Sequence, residues 1–332
     1  MNAVVTGIGL AMPGALIPSD LTTGTAVGAA PVDPAARIGK KGLRHQDRAT
    51  QLALCAARDA LNSAGLMLGD ARMSTQRGGA PVVDAELLVP AESVAVVVSS
   101  NFGNLDSVCE VVAAISADRG TRLISPVLAP RLSSNVTASE LAIRFGLRGP
   151  NVMVCNGGTS GLDAVHWATI WLSSGRARHV LVVGVEPAND VVRQLLGHDQ
   201  PLDGAAALLL ETTKAAAGRN APALAGVDGY LRTGGLADCV SALAGSARAW
   251  FAPRNAPASA LAGVLRHDLE DRWGPASGAL GVLQCAAAVG HFAVGGDGPV
   301  YAVSGTDADD AVAGLVLTAP VHTAAGDTVG RP

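Results

Sequence analysis

Charge is scarce in this sequence: Lys, Arg, Asp and Glu make up 16% of 332 residues, and the formal net charge is −4. No block of like charge stands along it, which argues against nucleic acid as a partner. Long apolar runs are missing too, because charge or glycine interrupts each one before the roughly 18 residues a membrane helix needs. No membrane partner is expected. The five cysteines, Cys55, Cys109, Cys155, Cys239 and Cys285, fall in no C-x-x-C or paired spacing, so neither a zinc site nor a disulfide framework is indicated. Val4-Val5-Thr6-Gly7-Ile8-Gly9 reads as a strand entering a glycine turn, but it is not G-x-G-x-x-G and implies no dinucleotide site. No cofactor and no metal are expected. Without a charged leader before Ala3 or a small-residue cleavage site after it, the chain is expected to be cytoplasmic, where free thiols persist.

What is abundant is small and apolar. Hydrophobic residues reach 49% and glycines number 40, a composition suited to one large core or two half-domains rather than to disorder. The chain is organised around Arg148 to Gly175. Val152 to Cys155 form a short apolar run, after which Leu162, Val165, His166, Thr169 and Leu172 recur at three- and four-residue steps. The period changes across residues 156–161, so the segment reads as strand, sharp glycine-rich elbow, helix. Such an elbow exposes its tip at the positive end of the helix, where backbone N–H groups can stabilise a thiolate or an oxyanion. Cys155 is the nearest thiol. It lies in or just after the strand and is expected to be buried and inert.

Elsewhere, Ser19 to Ile38 reads as loop. Lys41 to Thr50 leads into a helix over Gln51 to Ala64, closed by Gly65. Met73 to Leu87 reads as a surface loop, and Val94 to Ser99 as a buried strand. Leu105, Val108, Cys109, Val112 and Ile115 continue at helical spacing, a stripe suited either to core packing or to lining a pocket. Arg178 to Glu186 and Asp203 to Glu211 are strands, with His179 at a strand edge. Charge and glycine replace apolar periodicity near Thr212 to Asn220, which reads as a seam. Beyond it come a strand over Ala223 to Leu231, a helix from Gly278 through Val289, and strands over Val300 to Ser304 and Val312 to Leu317. His267, between Arg266 and Asp268, reads as a surface histidine on a solvated helix.

Ser125-Pro126-Val127-Leu128-Ala129-Pro130, followed by Leu141-Ala142-Ile143-Arg144-Phe145-Gly146-Leu147-Arg148-Gly149-Pro150, resembles the β-ketoacyl-ACP synthases, members of the thiolase fold. The resemblance implies an α/β chain of five layers, α/β/α/β/α, in two pseudo-related halves: residues 1–211, residues 221–320 in shortened form, and a tail over 321–332. Aligning Gly149-Pro150 and Thr159-Ser160-Gly161 with the family puts its nucleophilic cysteine on Gly158, which has no side chain to offer. Anchoring a second family run on Gly278-Ala279-Leu280-Gly281 puts Pro275 where a histidine would stand. Between Thr233 and Gly278 there is no His-Gly-Thr, and Ser304 to Asp310 replaces a late Gly-Phe-Gly-Gly turn.

This pattern resembles the chain-length factors, the ketosynthase β subunits of bacterial type II polyketide synthases. It implies a catalytically inactive subunit that pairs with an active ketosynthase, meets an acyl carrier protein through the complex, and shapes the tunnel of a growing polyketide chain. Phe102, Leu105, Val108, Cys109 and Val112 would then line the tunnel, and Asn151, Val152, Met153, Val154 and Cys155 would form the dimer interface. Two other expectations stand beside this one: a thiolase-fold acyltransferase or decarboxylase using Cys155 or His267, and a homodimeric acyl-carrier-binding scaffold.

Overall fold

The computed structural model describes residues 3–75, 81–122, 124–198, 200–243 and 245–320. The apolar opening forms β1 (Ala3–Ala11). It is followed by α1 (Asp20–Thr23), α2 (Pro34–Ile38) and α3 (Arg48–Ser63), then by β2 (Met67–Thr75), β3 (Pro81–Leu87) and β4 (Val94–Ser99). Next come α4 (Leu105–Asp118), α5 (Val136–Phe145), β5 (Asn151–Val154), α6 (Ser160–Ser173), β6 (His179–Glu186), α7 (Asp190–Leu196) and β7 (Gly204–Thr212). The rest of the chain gives α8 (Thr213–Gly218), β8 (Ala225–Thr233), α9 (Leu236–Ala242), β9 (Ala249–Phe251), β10 (Leu265–His267), α10 (Leu269–Trp273), α11 (Leu280–Ala293), β11 (Val300–Thr306) and β12 (Ala311–Thr318).

Ten strands follow the order β10-β9-β11-β12-β8-β1-β7-β6-β4-β5. Outward from β1, the contacts with β7 and then β6 are antiparallel, and those with β4 and then β5 are parallel. Outward from β8, the same sequence recurs through β12, β11, β9 and β10. The two five-stranded halves join through a short antiparallel contact, Ala3 to Val5 against Ala225 to Val227.

Side chains alternate across each strand, and their partition defines the layers. Val94, Val96, Val98, Leu181, Val183 and Val185 pack under α3 and α5. Their neighbours Ala95, Val97, Val180 and Val182 face the other way, into a central core built on α6 and α11. On β11, Val300 and Ala302 enter that same central core, whereas Tyr301 and Val303 pack under α9. The order is therefore helix, sheet, helix, sheet, helix, the five-layered thiolase arrangement with two pseudo-related halves. Buried on both faces, the strands read as near-continuous apolar runs, which is why β4, β6 and β7 were legible.

Several expectations are corrected. Ser19 to Ile38 holds two short helices; Asp33 caps α2 by accepting from the Ala35 and Ala36 N–H groups, and Pro34 opens the first turn. Met73 to Leu87 falls in an antiparallel hairpin of β2 and β3 rather than a loop, with residues 76–80 outside the described set. The segment from Thr212 to Asn220, read as a seam, holds the short helix α8 between β7 and β8. Strands β9 and β10 went unforeseen because three residues are too few to show a period. The tail over 321–332 lies outside the described residues.

The central layer depends on one crossing. A Cβ on Gly161 would stand 2.6 Å from the Gly281 backbone N, and a Cβ on Gly281 would stand 2.4 Å from the Leu162 N. Only hydrogen fits between the first turns of α6 and α11. His179 opens β6, at the strand end where it was expected, and is buried there, its Nδ1 2.7 Å from Glu211 Oε1. Thr6 Oγ1 donates to Glu211 Oε2 at 2.6 Å, and the Arg219 guanidinium donates to both oxygens.

Gly161→Ala is expected to destabilise the protein by about 3 kcal/mol or more, because packed backbone must move to admit the methyl group; denaturant unfolding checks this. Burial alone would raise the Glu211 carboxyl, but the hydrogen bonds from His179, Arg219 and Thr6, with the His179 charge, bring it from 4.5 down to about 2. A depressed carboxyl contributes stability that is present above its unfolded value and lost as pH falls. About 3 kcal/mol should therefore disappear between roughly pH 5 and pH 2, and Glu211→Gln should flatten that part of the stability curve.

Candidate functional site

The elbow begins on β5, the edge strand of the first half. Val154 is buried, whereas Cys155, Asn156 and Gly157 are exposed. Gly157 takes a φ of 76°, a left-handed turn that a side chain would resist. The turn is locked by its own hydroxyl: Asn156 N donates to Ser160 Oγ at 2.6 Å, and Ser160 Oγ donates to Gly157 O at 2.8 Å. One turn into α6, the buried Asp163 accepts from Thr159 Oγ1 at 2.9 Å, Asn156 Nδ2 at 3.0 Å and Tyr230 Oη at 2.6 Å. Tyr230 lies on β8, so this carboxylate ties the elbow to the second half.

A second elbow leads into α11 through Ser277, Gly278 and Ala279, and Ser277 takes a φ of 40°. Asn101 joins the two, because its Nδ2 donates to Gly157 O at 2.9 Å and to Ser277 Oγ at 2.8 Å. Behind Asn101, Glu186 ends β6 and is 1% exposed. Its carboxylate accepts from Asn101 N at 2.7 Å, Phe102 N at 3.0 Å, Ser100 Oγ at 3.0 Å and Gly278 N at 3.0 Å. Burial pushes this carboxyl up to about 7, against the lowering effect of those four donors.

Gly158 stands at the tip of the first elbow, where a side chain would press on the backbone of the other half. A Cβ built on it would lie 3.1 Å from the Gly305 Cα and 3.4 Å from the Gly305 N, at the end of β11. Beside Gly305 opens a cleft of about 310 Å³ whose lining includes Leu236, Pro253, Arg254, Asn255 and Asp307. Neither thiol nor imidazole lines it. Among the described residues no group of three or more His, Cys, Asp or Glu is placed to hold a metal ion, and no helix is long and apolar enough to cross a membrane.

Other candidates fall elsewhere. Pro275 lies between α10 and the second elbow, its carbonyl accepting from Leu202 N at 3.0 Å. Cys155 is exposed rather than buried, because the strand ends one residue earlier on an open sheet edge. Its thiol is nonetheless raised, by burial first and the Glu186 charge second, so it is not an activated nucleophile. His267 is on β10, not on a solvated helix. It is half-buried, its ring stacks on Phe251 at 4.9 Å, and burial first, then His291 and Arg272, depress its pKa.

The α4 stripe is not core. Ser107 and Val111 are the buried residues among its described side chains. Leu105, Val108 and Cys109 are half-buried, Val112 is 55% exposed, and Ile115 is exposed. Phe102 is half-buried at the segment leading into the helix. Sequence reasoning missed Asn101, Asp163, Glu186 and Ser277 as a connected set. Two of them carried a signal: Glu186 ends an otherwise apolar strand, and Asp163 interrupts the apolar face of α6.

A family model, β-ketoacyl synthase, N-terminal domain, matches residues 27–240. Among curated proteins, the 3-oxoacyl-[acyl-carrier-protein] synthase 2 of Vibrio harveyi is 28% identical over 152 residues, 46% of this chain. The match spans 32% of that relative's length. Among solved structures, the ishigamide ketosynthase/chain length factor superimposes with a TM-score of 0.75 at 21% identity, covering 96% of this chain and 100% of that chain. A type II PKS acyl-carrier protein in complex with its ketosynthase gives 0.73 at 16% identity, with 96% and 99% covered. At those identities the structural likeness is one of fold, and the fold is that of thiolase-type ketosynthases. With the family model spanning more than half of the chain, the chain belongs to the β-ketoacyl synthase family.

Proposed function

We propose that this chain is a ketosynthase-like subunit that does not itself condense acyl groups, a chain-length factor that pairs with an active ketosynthase and shapes its tunnel in type II polyketide biosynthesis. The observation that carries the proposal is the tip of the elbow. Decarboxylative condensation needs a thiolate to hold the acyl chain and donors to stabilise the enolate and oxyanion that develop. Gly158 offers no thiol, and a Cβ there would stand 3.1 Å from the Gly305 Cα, so that backbone would have to give way slightly to admit one. Cys155, the alternative nucleophile, has a raised pKa.

The surface supports a partnership. β5 leaves Asn151 to Val154 on an open sheet edge, an arrangement that invites pairing with another strand. Elsewhere on the surface α4 presents an apolar stripe of which Leu105, Val108 and Cys109 are half-buried and Val112 is exposed. In the pair, the partner's thiolate carries the chain, and acyl carrier protein delivers extender units to that partner. The growing chain then meets Leu105, Val108, Cys109 and Val112. Each buried methylene gains about 0.8 kcal/mol, whereas forcing one more against a packed wall costs roughly 1 to 3 kcal/mol, so bulk at this wall sets length.

Enlarging Val108 or Cys109 to Phe or Trp is expected to shorten the product, and Leu105→Ala or Val112→Ala to lengthen it or blur its distribution. Mass spectrometry of the products made with the native ketosynthase and carrier protein decides this. An unchanged distribution across all four positions, in intact complexes, contradicts the proposal. Gly158→Cys is expected to lower stability by about 1 to 3 kcal/mol through its contact with Gly305 and to restore no condensation by the single chain, since the donors remain missing. Turnover by that purified variant contradicts the assignment.

A further inference from the structure

Glu186 is bonded to the segment that leads into α4 and, directly or through Asn101, to both elbows. Its carboxylate receives Ser100 Oγ, Asn101 N and Phe102 N from the segment that leads into α4, and Gly278 N from the second elbow. From Asn101 the connection continues to Gly157 and Ser277. Helix α4 packs on α7 and on the short turn over Pro126–Leu132, Asn104 Nδ2 bonds Arg131 O and Ser133 O at 3.0 and 3.1 Å, and only Ser107 and Val111 are buried among the helix's described side chains.

We infer that Glu186 is the positioning residue of the length-setting wall, fixing where α4 begins relative to both elbows. A single buried group holding three amides and a hydroxyl imposes one geometry on them, because a donor moved off its acceptor in so dry a place is left unsatisfied. The amide of Gln would place an NH2 group where one carboxylate oxygen now accepts. It would then oppose the donors at that oxygen, either Ser100 Oγ and Phe102 N or Asn101 N and Gly278 N. The start of α4 is thereby released while the five layers and the open β5 edge are left as they are. For its effect on products this inference rests on the chain-length assignment; for its effect on backbone protection it does not.

The test uses the complex of this chain with its ketosynthase, comparing the native chain with Glu186→Gln, and with Ser100→Ala as the milder variant should Glu186→Gln fail to fold. Two quantities are read: amide hydrogen exchange at Asn101, Phe102 and Gly278, and the product-length distribution, with Val108→Trp as a control for the wall. Exchange at those amides is expected to quicken about tenfold in Glu186→Gln, the worth of one hydrogen bond to a charged group, while the strands around Glu211 keep their protection. The product distribution is expected to broaden on both sides of its native maximum. Unchanged exchange overturns the inference, and so does faster exchange with native product lengths when Val108→Trp shifts them. If Val108→Trp shifts nothing, the chain-length assignment fails instead, and the exchange measurement alone decides whether Glu186 holds the start of α4.

Discussion

The structure turns on the contact between Gly161 and Gly281. Two helices begin at the same place from opposite halves of the chain, and their first turns approach so closely that neither position admits a methyl group. Because the crossing is fixed, both elbows are delivered to one locus, each beside the end of a strand of the other half: Gly158 against Gly305 of β11, and Gly278 against Glu186 of β6. The central core then closes around α6 and α11, with alternate residues of the two five-stranded halves facing inward. The pseudo-symmetry is thus a packing requirement. Each half supplies one helix to a layer that neither could bury alone.

At that locus lie both elbows of the β-ketoacyl synthase scaffold. The tip is Gly158, the second elbow carries Ser277 and Gly278, and the polar groups that converge there are amides, hydroxyls and one buried carboxylate that bond to one another. Asn101, Glu186 and Asp163 each use their hydrogen-bonding capacity to hold backbone and side chains in place, which favours rigidity over proton transfer. Outside the core, β5 presents an open edge and α4 a half-buried to exposed apolar stripe.

Much of this was legible in the residues. Val94–Ser99, His179–Glu186 and Gly204–Thr212 are apolar on both faces and announced themselves as inner strands. The change of period across residues 156–161 located the elbow to within a residue or two. What could not be read depended on partners distant in sequence. Cys155 looked like a core thiol because it follows an apolar strand, and only the sheet order shows that the strand is an edge. The burial of His179 at the start of its strand was not legible, because Glu211, its partner, lies more than thirty residues away. The α4 stripe has the spacing of a core face, but spacing records which residues share a face and not whether anything in the same chain covers it. Glu186 and Asn101 gave almost no warning, since a single acid at a strand end has no pattern of its own.

Intact-mass analysis of the assembly after loading with an acyl donor tests the central claim most directly. Co-expressed with its ketosynthase, the chain should be recovered in a one-to-one complex in which the acyl mass is carried by the ketosynthase and this chain keeps its unmodified mass. A self-associated chain that turns over without a partner, or an acyl adduct on this chain at Cys155 or elsewhere, would contradict the account.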